Sequence, residues 1–232
     1  MVKQSKREQQ REKTIAAIKA AARDQMARTG SAAISLREVA RDLGITAPAL
    51  YRYFANRDDL ITDLLVEGFN SLADAMIIAD SAQPRDAYAE RLIDVMMAYR
   101  RWALNHATDF QLMYGNPIPG YDAPREITVP AASRGFDAVA GILVDALAAG
   151  VLKPPFSAGD LPQPVAQSLS DLSAGAASEV VMYISTVGWT RIHGMIMLEL
   201  FNDTQPIVGD TEAFYRFEVI RMCAEMNLHL KF

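Results

Sequence analysis

An all-α fold is predicted for this chain of 232 residues. Apolar residues recur at three- and four-residue spacing along most of it, clusters of glycine and proline interrupt that pattern, and no convincing strand-like alternation stands out. Half of the residues are hydrophobic, which is enough to bury one large core, or one small and one larger core. No fixed-period repeat is apparent. The pattern predicts about nine helices.

The first helix is expected over about residues 8–28. Ile15, Ile18 and Ala22 fall on one face at helical spacing. Gly30 follows, and a glycine at this place commonly ends a helix. This helix would pack over the two shorter helices that come next.

The second helix opens the stretch SLREVARDLGITAPALYRYFANRDDL, residues 35–60. Ser35 and Glu38 have the spacing of a capping box, which predicts a helix start there. Gly44 supplies a left-handed residue that ends the helix. The apolar face would consist of Leu36, Val39, Ala40 and Leu43.

A third helix is predicted over about residues 47–54. Thr46 is a candidate N-cap, and Pro48 suits the first helical turn because that turn needs no amide donor. Leu50 and Phe54 lie four residues apart and should face inward. The outer face would then carry Thr46, Ala47, Ala49, Tyr51, Arg52 and Tyr53.

Two helices joined by a glycine turn are typical of a helix-turn-helix DNA-binding domain, although the same shape also occurs in proteins that never bind nucleic acid. The charge distribution favours DNA. The whole chain has 23 Lys and Arg against 28 Asp and Glu, yet residues 1–57 contain 12 basic and 5 acidic side chains. Basic charge confined to this segment is the electrostatic footprint of a nucleic-acid-binding module.

Two further features of this segment bear on phosphate binding. Asn56 followed by Asp59 predicts the cap of a fourth helix, which places Arg57 in a first turn that suits an anion. The residues before the first helix are expected to form a mobile basic arm that contacts phosphate or the minor groove, or else a solvated tail. The arm consists of Lys3, Lys6, Arg7 and Arg11.

The remaining chain is predicted to be helical with two long breaks. The breaks are GNPIPGYDAP, residues 115–124, and VLKPPFSAGDLPQP, residues 151–164. The expected helices are at about residues 57–79, from Pro84 onward, a short one ending at Tyr114, and at about residues 130–149, 178–201 and 211–228.

Several classes of protein are disfavoured. The single cysteine, Cys223, excludes an internal disulfide and a thiolate metal site, so it is interpreted as a core residue. His106, His193 and His229 are far apart, and no nucleophile set or phosphate-binding glycine loop accompanies them. We therefore expect no enzyme, no cofactor and no metal. The charged first dozen residues and the lack of a long uncharged apolar stretch predict a cytoplasmic protein without a membrane span.

The hairpin LREVARDLGITAPALYRYFANRDDL closely resembles the TetR/AcrR family of one-component transcriptional regulators, over roughly residues 10–65. A second, weaker resemblance lies in FQLMYGNPIPGYDAP and GWTRIHGMIMLEL. These stretches look like the subgroup whose C-terminal domain is named for Trp, His and Gly, here Trp189, His193 and Gly194.

The resemblance implies specific DNA contacts. Arg37 matches a position that reaches base edges, where arginine can bind guanine through two hydrogen bonds. Ala47, Pro48 and Ala49 begin the recognition helix, and their small apolar side chains limit direct readout to thymine methyl groups and backbone approach. Discrimination would then depend on Arg37, Arg52 and DNA shape. The positions that usually contact phosphate are Thr46, Tyr51, Tyr53 and Arg57.

The resemblance also implies a domain of residues 1–57 that binds operator DNA and a domain of residues 58–232 for ligand binding and dimerisation. The last two helices would form a four-helix bundle in a homodimer, although two broadly apolar helices also fit a buried core pair in a monomer. The proposed dimer residues are Ile184, Ile196, Leu200, Phe214, Phe217 and Ile220.

A small, largely apolar or aromatic effector would bind in the larger domain, with Tyr121 as a gate in the 115–124 segment. Residues of these types at helical spacing are also typical of plain core. The sequence thus favours a repressor that a ligand releases from a pseudo-palindromic operator, and the alternatives are a constitutive or architectural DNA-binding dimer or an activator. The candidate lining is Met97, Trp102, Phe110, Met113, Tyr114, Tyr121, Phe136, Met182, Trp189 and His193.

Overall fold

The computed structural model describes residues 5–230, which contain eleven α-helices, two short 3-10 turns and no strand. This confirms the all-α prediction, with two more helices than expected. The helices are α1 (Lys6–Thr29), α2 (Leu36–Asp42), α3 (Ala47–Leu50), α4 (Arg57–Ser81), α5 (Tyr88–Asn105), α6 (Ala107–Tyr114), α7 (Arg125–Ala148), α8 (Gln163–Ser173), α9 (Glu179–Leu200), α10 (Gln205–Val208) and α11 (Thr211–Glu225).

The described chain divides into two compact units. The N-terminal unit consists of residues 5–69 and 106–131, and the C-terminal unit of residues 70–105 and 132–230. The chain therefore passes between the units three times: inside α4, between α5 and α6, and inside α7. The predicted boundary between two domains after residue 57 stays a prediction. Each observed unit consists of two separate stretches of the sequence, so no single boundary divides the units.

The start of α1 differs from the prediction. Ser5 and Glu8 form a capping box: the Ser5 hydroxyl accepts from the Glu8 amide, and the Ser5 amide donates to the Glu8 carboxylate at 2.8 Å. The prediction of a mobile arm is therefore wrong from Lys6 onward, because the local cap starts the helix there. Lys3 lies outside the described residues. The basic residues now placed on the helix are Lys6, Arg7 and Arg11.

The capping box predicted at Ser35 is wrong. The Ser35 hydroxyl makes no cap, and its backbone amide donates instead to Gln25 Oε1 at 3.1 Å. The Glu38 carboxylate accepts from Gln25 Nε2, so it does not reach back to the cap. Gln25 is 2% exposed, and its Oε1 accepts from the Ser35 amide in place of the Glu38 carboxylate.

The second helix of the hairpin is also shorter than predicted. It ends at Leu50 and a turn continues to Phe54, but both of these side chains are buried as expected. Thr46 occupies the N-cap position without a hydroxyl cap bond, and Gly44 has the predicted left-handed backbone, with φ +66°. The Asn56 cap is confirmed, because its side-chain oxygen accepts from the Asp59 amide at 2.8 Å.

Proline positions account for the other boundary errors. Pro84 accepts from the Ala87 amide in a turn, so α5 begins at Tyr88 and not at Pro84. Pro130 lies inside α7, near its N-terminal end, and the helix begins five residues earlier. Helices α8 and α10 were not predicted. Each has a proline in its first turn, where a missing amide hydrogen costs nothing.

The N-terminal unit has one hydrophobic core. Residues of α1, α2, α3 and α4 pack there around Leu50, which is fully buried. Leu112 from α6 and Ile118 from the 115–124 segment belong to the same core. This segment was predicted as a break between helices of the larger domain, and the burial of Ile118 makes it part of the N-terminal unit.

The C-terminal unit has its own core. Tyr215 of α11 is 1% exposed and donates to the Met96 carbonyl of α5 at 3.0 Å. Cys223 is buried as predicted, and burial raises the pKa of its thiol to about 12. Other buried members are Ile93, Val95, Leu143, Val181, Ile192 and Ile196.

One helix within residues 5–230, α7, has the length and composition of a membrane span. A single helix of this kind carries little weight, because core helices of soluble proteins share these properties. In the first half of α7, Arg134 donates to Asp74 at 2.7 Å.

Candidate nucleic-acid interface and effector region

The nine predicted DNA-contact residues all lie in the N-terminal unit, on α2, on α3 and the turn that follows it, and at the start of α4. They differ in accessibility. The exposed ones are Arg37, Thr46, Pro48, Tyr51 and Arg52, and the half-buried ones are Ala47, Ala49, Tyr53 and Arg57.

Arg37 and Arg52 carry the accessible charge of this face. Among residues 5–230 neither guanidinium forms an ion pair with a carboxylate. Arg41, on the same helix as Arg37, instead lies 4.0 Å from Glu38 and 3.8 Å from Asp42. An arginine without an internal carboxylate keeps all of its donors for a nucleic-acid partner.

Arg57 and Tyr53 are more engaged with their own unit. Arg57 Nε donates to Asp58 Oδ1 at 3.0 Å, and its Nη2 donates to the Pro119 carbonyl at 3.4 Å. The Tyr53 ring packs against the core, and the Arg11 guanidinium lies 5.3 Å from its centroid. Both residues therefore link the hairpin to neighbouring elements as well as facing outward.

Helix α6 is held on α1 by a buried ion pair. Arg23 Nε donates to both carboxylate oxygens of Asp109, at 2.8 and 3.0 Å, and the Asp109 side chain is 9% exposed. Burial lowers the pKa of Arg23, but Asp109 and Glu67 outweigh it and raise that pKa above its usual value. Arg23 therefore stays charged, and the pair joins residues 86 positions apart.

The 115–124 segment is held on α4. The hydroxyls of Tyr121 and Thr62 lie 2.9 Å apart, and burial raises the pKa of Tyr121. A Cβ on Gly68 of α4 would lie 2.8 Å from Met113 Sδ of α6, so α4 and α6 approach each other closely at this point. Tyr121 packs on the helix-turn-helix core, so the structure does not place it as a gate among the C-terminal helices.

The ten candidate effector residues do not come together in one unit. In the N-terminal unit, Tyr114 lies 5.0 Å from the ring of Phe110 and 5.7 Å from that of Phe69. The effector candidates in this unit are Phe110, Met113, Tyr114 and Tyr121, and those in the C-terminal unit are Met97, Trp102, Phe136, Met182, Trp189 and His193.

His193 is the polar centre of the second group. Its Nδ1 lies 2.9 Å from the Tyr99 hydroxyl, and the Trp189 ring lies 5.1 Å from the imidazole. Burial lowers the pKa of His193, which favours the neutral imidazole. Trp102 Nε1 donates to Ser71 at 3.0 Å.

Two buried arginines on α5 were missed from the sequence. Arg91 is 1% exposed and donates to Asp80 at 2.6 Å, while Arg100 donates to Glu199 at 2.6 and 2.8 Å. Arg100 also donates to Glu212 at 2.9 Å. The only sequence signal for these ion pairs was an arginine on the apolar face of a helix. Their acidic partners lie 11 to 112 residues away in sequence, so local patterns could not identify them.

Two surface depressions lie elsewhere. One borders α1 and α2, and its lining includes Ala20 and Asp24. The other lies where α9 ends and α11 begins, and its lining includes Asn202 and Thr211. Neither lining contains a candidate effector residue.

Within residues 5–230, no group of three or more His, Cys, Asp or Glu side chains is placed to hold a metal ion.

Large apolar side chains on α9 and α11 remain exposed. Phe217 is 62% exposed and Phe214 is 38% exposed, whereas Ile184, Leu200 and Ile220 are half-buried. Ile196 is fully buried in the core of its own unit, so it is unavailable to a partner. Periodicity could not separate the two faces, because both are apolar.

Comparison with known families identifies the chain. A family model described as "Tetracyclin repressor-like, C-terminal domain" matches residues 92–222, and one described as "Bacterial regulatory proteins, tetR family" matches residues 18–64. The chain belongs to the TetR family. As a TetR-family transcriptional regulator it is not an enzyme, which confirms that expectation. The Trp-His-Gly subgroup stays a prediction.

Relatives support the same assignment. The chain is 34% identical over 201 residues to "HTH-type transcriptional regulator Rv1816" of Mycobacterium tuberculosis and to "HTH-type transcriptional regulator Mb1846" of Mycobacterium bovis, with 84% of each chain covered. The solved structure of the regulatory protein SCO4313 has a TM-score of 0.76 and 29% identity, covering 95% of this chain and 100% of that one. A tetR-family protein from Rhodococcus RHA1 shares the fold at a TM-score of 0.67, with 17% identity and coverage of 94% and 98%.

Proposed function

We propose that this TetR-family regulator is a cytoplasmic repressor that binds a pseudo-palindromic operator as a homodimer and is released by a small, largely apolar effector. The observation that carries the proposal is the pair of exposed guanidiniums of Arg37 and Arg52 on the helix-turn-helix face. Neither is neutralised by a carboxylate of residues 5–230. Each can therefore bind the acceptors of a base edge or a phosphate.

The contacts divide by type. Arg37 reads a guanine, while Thr46 and Tyr51 contact phosphate and set the register of the hairpin. Tyr53 and Arg57 contribute further phosphate contacts from half-buried positions. Because the recognition helix begins with Ala47, Pro48 and Ala49, the remaining specificity comes from Arg52 and DNA shape.

Dimerisation uses the exposed apolar faces of α9 and α11. Exposed phenylalanines on a helix need a partner surface, and Phe214 and Phe217 lie on one helix at three-residue spacing. A two-fold pair of these helices makes a four-helix bundle. It places the two hairpins on half-sites about one helical turn, or 34 to 36 Å, apart, or a multiple of that spacing.

Release by an effector uses helices that belong to both units. Helices α4 and α7 each begin in the N-terminal unit and end in the C-terminal unit, so a change in packing around them affects both. Two proteins of this fold, RolR and EbrR, have been solved with resorcinol and imidazole respectively. A small ring-shaped molecule between the C-terminal helices fits the aromatic and methionine side chains there. To release the operator, this molecule must bind the dimer geometry that does not fit DNA better than the geometry that does.

The central test compares two arginines of α2. We expect Arg37→Ala to weaken binding to an operator selected from random duplexes and to relax specificity by about 1 to 3 kcal/mol at one base pair. Arg41→Ala removes the same charge from the same helix, but from a side chain already close to Glu38 and Asp42, so it leaves specificity unchanged. Wild-type discrimination by Arg37→Ala, measured by competition with mutated operators, rejects the base contact.

A matched experiment addresses phosphate binding. We expect Arg57→Ala to weaken binding to the operator and to mutated operators by the same factor, because a phosphate contact carries no sequence information. A loss confined to one operator position would instead assign base readout to Arg57.

A constitutive DNA-binding dimer is the second candidate function, and the division of the effector residues between two units favours it. Thermal melting and operator binding, both measured with a library of small aromatic compounds, distinguish the ligand-released repressor from the constitutive dimer. Effectors that raise the melting temperature and weaken operator binding support the repressor. Stabilising compounds that all leave operator affinity unchanged support the constitutive dimer.

A further inference from the structure

The first part of α1 extends from the N-terminal unit without burying a side chain. Residues 5–13 are all exposed, and the first buried residue of the helix is Ile18. A segment without core contacts gains little stability from packing, so its local cap of Ser5 and Glu8 is what begins the helix. The sequence predicted mobile chain here, and the structure fixes where each basic side chain lies.

The basic side chains of this segment form two rows on different faces of the helix. Arg7 and Arg11 lie four residues apart and share one face of the helix. Lys6 and Lys13 lie seven residues apart and share another. At 100° per residue, Lys13 lies about 160° from Arg11 around the axis and Lys6 about 100° from Arg7, so the lysine row lies on a different face from the arginine row.

The arginine row faces the DNA-reading hairpin. The Arg11 guanidinium lies 5.3 Å from the centroid of the Tyr53 ring, and Tyr53 directly follows the exposed Tyr51 and Arg52. A cation over an aromatic face is attracted by the ring, which holds Arg11 in this place. The row is therefore continuous with the surface that we propose for operator DNA.

The arginine row also keeps its charge. Neither Arg7 nor Arg11 forms an ion pair with a carboxylate of residues 5–230. Glu8, which lies between them in sequence, is bound to the Ser5 amide in the cap, which lowers its pKa. A row of uncompensated arginines beside a DNA-binding face is complementary to a phosphate backbone.

We propose that Arg7 and Arg11 form a second phosphate-binding site, which contacts the DNA backbone beside the segment held by the recognition hairpin. This inference rests on the proposed operator binding and adds a contact surface outside the helix-turn-helix. The ligand is the sugar-phosphate backbone of duplex DNA, so the contact is independent of base sequence.

The test uses the full chain and matched double variants. Binding to the selected operator and to a scrambled duplex is measured by fluorescence anisotropy over about 50 to 300 mM salt, since each neutralised phosphate adds about 0.9 to the slope of log K against log salt. We expect R7Q/R11Q to reduce that slope by about 1.8 for each bound protomer, or about 3.6 for the proposed dimer, on both duplexes. K6Q/K13Q removes the same charge from the lysine row, on a different face, and leaves the slope unchanged.

A charge-preserving variant completes the design. R7K/R11K keeps two cations in the row, so it should retain the wild-type slope. Equal slopes for R7Q/R11Q and K6Q/K13Q would overturn the inference, whether both fall or neither does. A wild-type protein that shows no preference for any selected operator would instead overturn the proposed function.

Discussion

At the scale of single residues, buried polar side chains make hydrogen bonds that the neighbouring sequence does not predict. Gln25 bonds both to the Ser35 amide and to Glu38, and so it sets the start of α2 from another helix. A local capping box was the simpler prediction from the sequence. It failed because a buried glutamine offers a donor and an acceptor at the same point, and an unsatisfied Gln25 would cost about 1 to 3 kcal/mol.

His193 makes stability depend on pH. Its pKa is lowered by burial, so the unfolded chain takes up a proton, near pH 6.5, before the folded chain does. The free energy of unfolding should therefore fall as the pH drops below about 6.5, down to the folded pKa. Urea unfolding between pH 5 and 8 checks this. His193→Gln should flatten the dependence, and an unchanged pH profile in this variant assigns the effect to other groups.

At the scale of elements, α6 belongs with the DNA-reading helices. The Arg23 and Asp109 pair joins α6 to α1, and the close approach of Gly68 to Met113 joins it to α4. Hydrophobic periodicity located α6 correctly and ended it at Tyr114 as observed. It did not show which neighbours the helix has, because periodicity describes a face and not its partner.

The buried pair on α6 should contribute far more stability than a surface pair. We expect Asp109→Ala to lower the free energy of unfolding by about 1 to 3 kcal/mol, because Arg23 loses its most buried acceptor. Asp74→Ala is the control. It breaks the Arg134 pair from a side chain that is 60% exposed, and such pairs contribute at most about 1 kcal/mol. Urea unfolding that ranks the two variants equally would contradict the structural role of Asp109.

At the scale of the whole molecule, the proposed dimer buries the apolar faces of α9 and α11. We expect Phe217→Asp to raise the dimer dissociation constant at least tenfold, which is about 1.4 kcal/mol, because a charge would enter an apolar bundle. Leu172→Asp is the matched control on α8, where the leucine is 73% exposed. Sedimentation equilibrium at several concentrations measures both. A wild-type monomer, or equal effects of the two variants, would exclude this interface.

Much of the molecule was readable from its sequence. Helical periodicity predicted the all-α class, the inward positions of Leu50 and Phe54, and the left-handed turn at Gly44. The confinement of positive charge to residues 1–57 indicated which part binds DNA. These are properties of spacing and composition over a few turns of chain, and they do not require distant partners.

Tertiary structure alone decided the partnerships. It assigned Tyr121 and the 115–124 segment to the core of the DNA-reading unit, enclosed Ile196 within the C-terminal core, and directed Arg11 toward Tyr53. The contacts of Tyr121 and Arg11 join residues more than 40 positions apart. The burial of Ile196 depends on which of the two apolar faces of α9 packs against the core. Local sequence patterns determine which residues share a face, whereas packing against the rest of the chain determines what that face contacts.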